Sequence, residues 1–82
     1  MTVLRLVRRL SVSDAIALEL LDRHIDLATR KSLDGHYLDA GIAIAGARTA
    51  AGRIHDAFHK ADAHKRVSSV ESNLRKMESE EP

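Results

Sequence analysis

The pattern of apolar and polar positions is strongest in residues 14–33, where it follows the period of an α-helix. At roughly 100° per residue, the apolar side chains fill an arc of roughly 200°, about twice the width of the apolar stripe on an ordinary surface helix. Ser13 is the predicted N-cap of this helix. One neighbouring helix cannot cover so wide an arc, so we expect contacts with two elements, from this chain, a second copy or another protein. The large aliphatic residues of the arc are Ile16, Leu18, Leu20, Leu21, Ile25 and Leu27.

A second helical pattern follows the turn signal Asp34–Gly35 and predicts a helix over residues 36–65. Alanine dominates its apolar stripe, and small side chains allow another helix to approach closely. Gly41, Gly46 and Gly52 each destabilise a helix by roughly 1 kcal/mol relative to alanine. Three such residues indicate either close contact with a neighbouring helix or a helix that is stable only when packed against a partner. The stripe consists of Ala40, Ala43, Ile44, Ala47, Ala50, Ala51, Ile54, Ala57, Phe58 and Ala61.

The two ends of the chain have shorter patterns. Residues 3–10 fit either a short helix or an extended arm. Residues 66–78 have coiled-coil spacing, and Ser68–Ser69 either lies within a continuous helix or interrupts it. Residues 79–82 are expected to form a frayed acidic tail.

Length and composition restrict the fold class. The chain has 82 residues and 0 cysteines, so we expect one small domain, over residues 1–78, without disulfide support. Domains of this size are marginal as monomers. We therefore predict an all-α fold, an antiparallel helical hairpin with a short N-terminal element and a C-terminal helical extension, in an oligomer. No long apolar run or secretory signal is recognisable, which favours a cytoplasmic protein without a membrane partner.

A pair of histidines is the most specific chemical motif. His55 and His59 have the one-turn spacing of metal ligands on a helix, but Asp56 stands where a metalloprotease requires glutamate. The favoured interpretation is a solvated polar face, so we assign no metal site and no cofactor, and a metal-binding helical protein through His55 and His59 is an alternative function. His24 lies within the wide apolar arc. It is interpreted either as a hydrogen-bonded core residue or as a pH-sensitive group at a subunit interface.

A basic cluster suggests an alternative function. Arg5, Arg8 and Arg9 could contact nucleic-acid phosphates in a small dimeric regulator. As an extended arm, residues 3–7 would resemble the N-terminal strand of ribbon–helix–helix regulators. The balance of 13 basic to 12 acidic residues does not favour this interpretation.

The hairpin layout of residues 13–60 resembles the small co-chaperones of type III secretion needle subunits. The shared features are a tyrosine just after the turn, here Tyr37, and an alanine-rich second helix. The resemblance implies a hairpin that holds a partner helix, and it transfers no site residue.

The leading functional interpretation is a non-enzymatic interaction module, a small adaptor, inhibitor or chaperone-like protein. It would bury apolar helix faces against a protein partner or a second copy, because one helix has more apolar surface than a small chain can cover. No arrangement of catalytic residues is recognisable. The predicted partner-binding residues are Ile16, Leu18, Leu20, Leu21, Ile25, Leu27, Ala47, Ala51, Ile54 and Phe58.

Overall fold

A computed structural model describes residues 10–80, and this part of the chain contains three α-helices and no strand. The helices are α1 (Val12–Leu33), α2 (Tyr37–Gly52) and α3 (Ala57–Glu80). The predicted all-α class is therefore confirmed. None of the three helices is both long and apolar enough to cross a membrane.

Helix α1 begins two residues earlier than predicted, at Val12 instead of Asp14. The hydroxyl of Ser11, not Ser13, caps it by accepting the N–H of Asp14 at 3.1 Å. At the other end, the chain reverses through Gly35, which has φ of 79°. The N–H of His36 donates to the carbonyl of Lys31, which is the hydrogen bond of a Schellman motif. The prediction that Gly35 adopts the left-handed conformation is confirmed.

The predicted continuous helix over residues 36–65 is wrong. Helix α2 ends at Gly52, and four residues pass before α3 begins at Ala57. Ile54, within this break, is 1% exposed, so the chain leaves the helical path to bury an isoleucine. Helix α3 then continues through Ser68–Ser69 to Glu80, so of the two alternatives left open by the sequence the structure shows the continuous helix.

The core is built mainly from alanine. Eight of the thirteen buried apolar residues in the described part of the chain are alanines. Because alanine side chains are small, the helices can approach each other closely. Each buried methyl group removes little apolar area from water, so the hydrophobic stabilisation of this core is modest. The residues buried in the core are Ala17, Leu21, Ala28, Ala40, Ala43, Ile44, Ala47, Ala50, Ala51, Ile54, Ala63, Val67 and Leu74.

All three helices contact one another. Asp22 near the middle of α1 pairs with Arg66 of α3, and Asp14 at the start of α1 reaches the segment just before α3. Helices α1 and α3 therefore run in the same direction. The start of α1 lies beside the end of α2, since Ile16 and Gly52 line one groove.

Candidate interaction surface

The exposed side of α2 is apolar. Leu38 is 81% exposed and Ile42 is 64% exposed, and the neighbouring outward positions are small or uncharged. We define the outward face of α2 as Leu38, Gly41, Ile42, Ala45, Thr49 and Gly52, all of which are exposed.

The opposite side of the same helix is also apolar. It carries the buried positions from Ala40 to Ala51, and no charged residue lies among them. A helix that is apolar on all sides is normally enclosed by neighbours. Within residues 10–80, helix α2 has neighbours on one side only, so apolar residues of its outward face are left exposed.

Helix α1 extends this apolar surface. Ile16 is 54% exposed and Leu27 is 38% exposed, on the side of α1 that adjoins α2. Ile16 and Leu20 line a groove of about 410 Å³ between the start of α1 and the end of α2. The remaining groove-lining residues are Ser13, Ala17, Gly52, Arg53 and His55.

The predicted partner-binding residues occupy different environments. Leu21, Ala47, Ala51 and Ile54 are buried in the chain's own core. Leu18, Leu20 and Ile25 are partly buried against that core. Ile16, Leu27 and Phe58 are exposed, but Phe58 lies on α3 because the break in residues 53–56 shifts it out of the alanine stripe.

A second groove lies between the C-terminal halves of α1 and α3. It has a volume of about 250 Å³, and Leu33, Val70 and Met77 form its apolar part. Thr29, Ser32, Asn73, Lys76 and Glu80 form its polar rim. This mixed lining makes it a less apolar surface than the outward face of α2.

The outward face of α2 contains no charged residue. The guanidinium of Arg48 is drawn toward α3 by Glu71, at 2.7 Å. Asp39 and Arg53 lie at opposite ends of the helix, are exposed, and have no ion-pair partner within residues 10–80. The surface is therefore apolar in the middle and carries one charge of each sign at its ends.

The two histidines of the metal motif do not share a helix. His55 lies in the break and His59 in the first turn of α3, which contradicts the predicted one-helix spacing. The Nδ1 atom of His55 lies 3.1 Å from a carboxylate oxygen of Asp14, and that of His59 lies 2.6 Å from Asp56. The described residues hold no cluster of three or more metal-ligating side chains.

Asp14 is a buried carboxylate that the sequence patterns did not single out as a tertiary contact. It is 2% exposed and accepts the backbone N–H groups of His55 at 2.9 Å and Asp56 at 3.0 Å. These hydrogen bonds hold the pKa of the Asp14 carboxyl below its ordinary value, with a smaller contribution from the His55 imidazole and against the opposing effect of burial. Asp14 therefore fixes the start of α1 to the chain entering α3.

His24 packs against the backbone of α2. A Cβ atom added to Gly46 would lie 2.7 Å from the Cε1 atom of the imidazole ring, so glycine is required for this approach. His24 is half-buried between the two helices. Of the three glycines predicted to allow close contact, only Gly46 has a neighbour within 4 Å of such a Cβ, since Gly41 and Gly52 face open space.

Arg5, Arg8 and Arg9 lie outside the described residues. The same is true of residues 3–9, for which the sequence left a helix and an extended arm as alternatives. Comparison of the chain with protein-family models, with curated proteins and with solved structures gave no match.

Proposed function

We propose that this protein is a non-enzymatic helical interaction module, an adaptor, inhibitor or chaperone-like protein of the cytoplasm. Its antiparallel hairpin of α1 and α2 presents apolar residues to a protein partner or to a second copy. The observation that carries the proposal is the exposure of Leu38 and Ile42 on a helix whose other side is already buried.

Energetics support an association. Full burial of an aliphatic side chain of this size contributes roughly 1.5–3 kcal/mol. Within residues 10–80, the alanine-rich core contains five larger apolar residues, Leu21, Ile44, Ile54, Val67 and Leu74. For such a core, the free energy gained by burying Leu38 and Ile42 in a complex would be large relative to the free energy of unfolding of the single chain.

The surface is also chemically suited to protein recognition. Leu38 and Ile42 are adjacent on one helical stripe, and Leu27 and Ile16 continue the apolar area onto α1. An apolar centre bounded by Asp39 and Arg53 has the composition of a protein interface, with an apolar core and a polar rim.

The proposal is tested by the mass of the assembly, for the purified protein and for the tagged protein in an extract of its native host. Leu38→Ser with Ile42→Ser should reduce the wild-type assembly to a monomer. Leu33→Ser with Phe58→Ser is the matched control, because Leu33 and Phe58 are equally exposed elsewhere, at 69% and 66%. A wild type that is monomeric in both settings, or equal loss of assembly in both variants, would overturn the proposal.

A further inference from the structure

We propose that the outward face of α2 binds the same face of a second copy of this chain. The two α2 helices would lie side by side and antiparallel, related by a twofold axis that passes near Ala45. This inference rests on the proposed function and identifies the partner that occupies its surface.

Charge complementarity favours the second copy. Asp39 stands in the first turn of α2 and Arg53 follows its last residue, and both side chains are exposed and without an ion-pair partner in residues 10–80. On the helical wheel both lie on the edge of the outward face that adjoins α1. In an antiparallel pair, Asp39 of each copy comes beside Arg53 of the other, and the twofold axis makes this contact twice. A parallel pair would place Asp39 level with Asp39 and Arg53 level with Arg53 of the second copy, so neither ion pair could form.

The sizes of the side chains agree with the same register. With Ala45 on the axis, Leu38 faces Gly52 of the second copy, and Ile42 faces Thr49. A Cβ atom added to Gly41 or Gly52 would have no neighbour within 4 Å, so the space above these glycines is open to a large side chain from outside. The face therefore carries its large residues toward one end and small residues toward the other, which makes it complementary to itself only when antiparallel.

The third charge of the segment does not oppose this contact. Arg48 lies on the α3 side of α2, where Glu71 holds its guanidinium at 2.7 Å. No other charged residue occurs between Asp39 and Arg53. Two copies can therefore bring together the outward faces between residues 39 and 53, a length of about 21 Å at the helical rise of 1.5 Å per residue.

The inference is tested with charge reversal, followed by sedimentation equilibrium. Asp39→Arg and Arg53→Asp should each weaken self-association by roughly tenfold or more, because each variant places like charges at both ends of the interface. An equimolar mixture of the two variants should restore a dimer, as should the doubly reversed chain. Failure of both the mixture and the double variant to recover association would overturn the inference.

A cysteine variant provides a test that avoids changing the charges at the helix ends. The chain has no cysteine, so Ala45→Cys introduces a single thiol beside the twofold axis. Mild oxidation should yield a covalent dimer much faster than for Ser72→Cys, an exposed position on α3. Equal rates of dimer formation would overturn the inference. Association of the outward face with a different protein alone would also overturn it and would leave the proposed function standing.

Discussion

The carboxylate of Asp14, in the first turn of α1, accepts the backbone N–H of His55 at 2.9 Å across 41 positions of sequence. Its second oxygen accepts the N–H of Asp56 at 3.0 Å. One buried side chain thus joins the start of α1 to the break between α2 and α3. Since unpaired buried N–H groups are costly, this contact determines where the chain turns.

Replacement of Asp14 by asparagine should destabilise the fold. The amide keeps one acceptor but places an NH2 group against the N–H of Asp56, which also donates. We expect the melting temperature to fall by roughly 4–8 °C, the change that accompanies loss of one helix cap in a domain of this length. Thermal melts followed by far-UV circular dichroism measure it. Asp26→Asn is the control, since Asp26 pairs with Arg30 on the exposed surface, and an equal effect of both substitutions would contradict this role.

The same carboxylate predicts a pH dependence of stability. Because the folded-state pKa of Asp14 is lowered, its contribution is fully present above the unfolded-state value of about 3.9 and is lost as the pH falls through the folded-state pKa. The free energy of unfolding should therefore decrease below about pH 4. Urea denaturation between pH 3 and pH 7 should show a smaller decrease in Asp14→Asn than in the wild type. If the free energy of unfolding fell equally with pH in the wild type and in Asp14→Asn, Asp14 would not be the cause of the acid sensitivity.

The contact between His24 and Gly46 predicts an energetic coupling. Alanine in a helix is favoured over glycine by roughly 1 kcal/mol, but a Cβ atom at position 46 would lie 2.8 Å from Nδ1 of the His24 ring. Gly46→Ala should thus lower the melting temperature of the wild type and raise that of His24→Ala. A double-mutant cycle should give a coupling of about 1 kcal/mol or more. Equal effects of Gly46→Ala in both backgrounds would show that the ring moves away freely.

Asp56 begins α3 as its cap, because its carboxylate accepts the N–H of His59 at 3.0 Å. Asp56→Ala should destabilise this helix end by about 1 kcal/mol. Hydrogen exchange at the His59 amide should accelerate, while amides in the middle of α1 change less. Asp62→Ala, an exposed substitution one turn later, is the control. Unchanged exchange at His59 would show that the first turn of α3 is held by other contacts.

The sequence pattern predicted local features of the fold well. The helix over residues 14–33, the left-handed Gly35 and the alanine stripe as far as Ile54 all correspond to the structure. These features depend on spacing within one helix or on the conformational freedom of one glycine, which sequence reports directly.

The pattern failed where a distant residue decides the local structure. The apolar period continues through Ala57 and Ala61, but Asp14 binds the backbone at residues 55 and 56 and the helix is broken there. Gly52 and Asp56 were the available local signals, as a helix stop and a helix start. The apolar repeat runs uninterrupted across both residues and predicts a continuous helix.

The candidate surface was only partly predictable. Excess apolar area was expected on α1, and Ile16 and Leu27 are exposed. Leu38 and Ile42 are not among the predicted partner-binding residues, because they lie opposite the alanine stripe that the sequence predicts as the packing face. Which of the two apolar sides of α2 is buried depends on the positions of both α1 and α3, and the spacing of residues in α2 does not contain that information.

Site-specific photo-crosslinking in the native host tests most directly whether α2 presents an interaction surface. A photoreactive residue in place of Ile42 should form a defined covalent adduct, with a second copy or with another protein, whereas the same residue in place of Ser72 should not. Absence of an adduct from position 42, or equal labelling from both positions, would contradict an interaction at the outward face of α2.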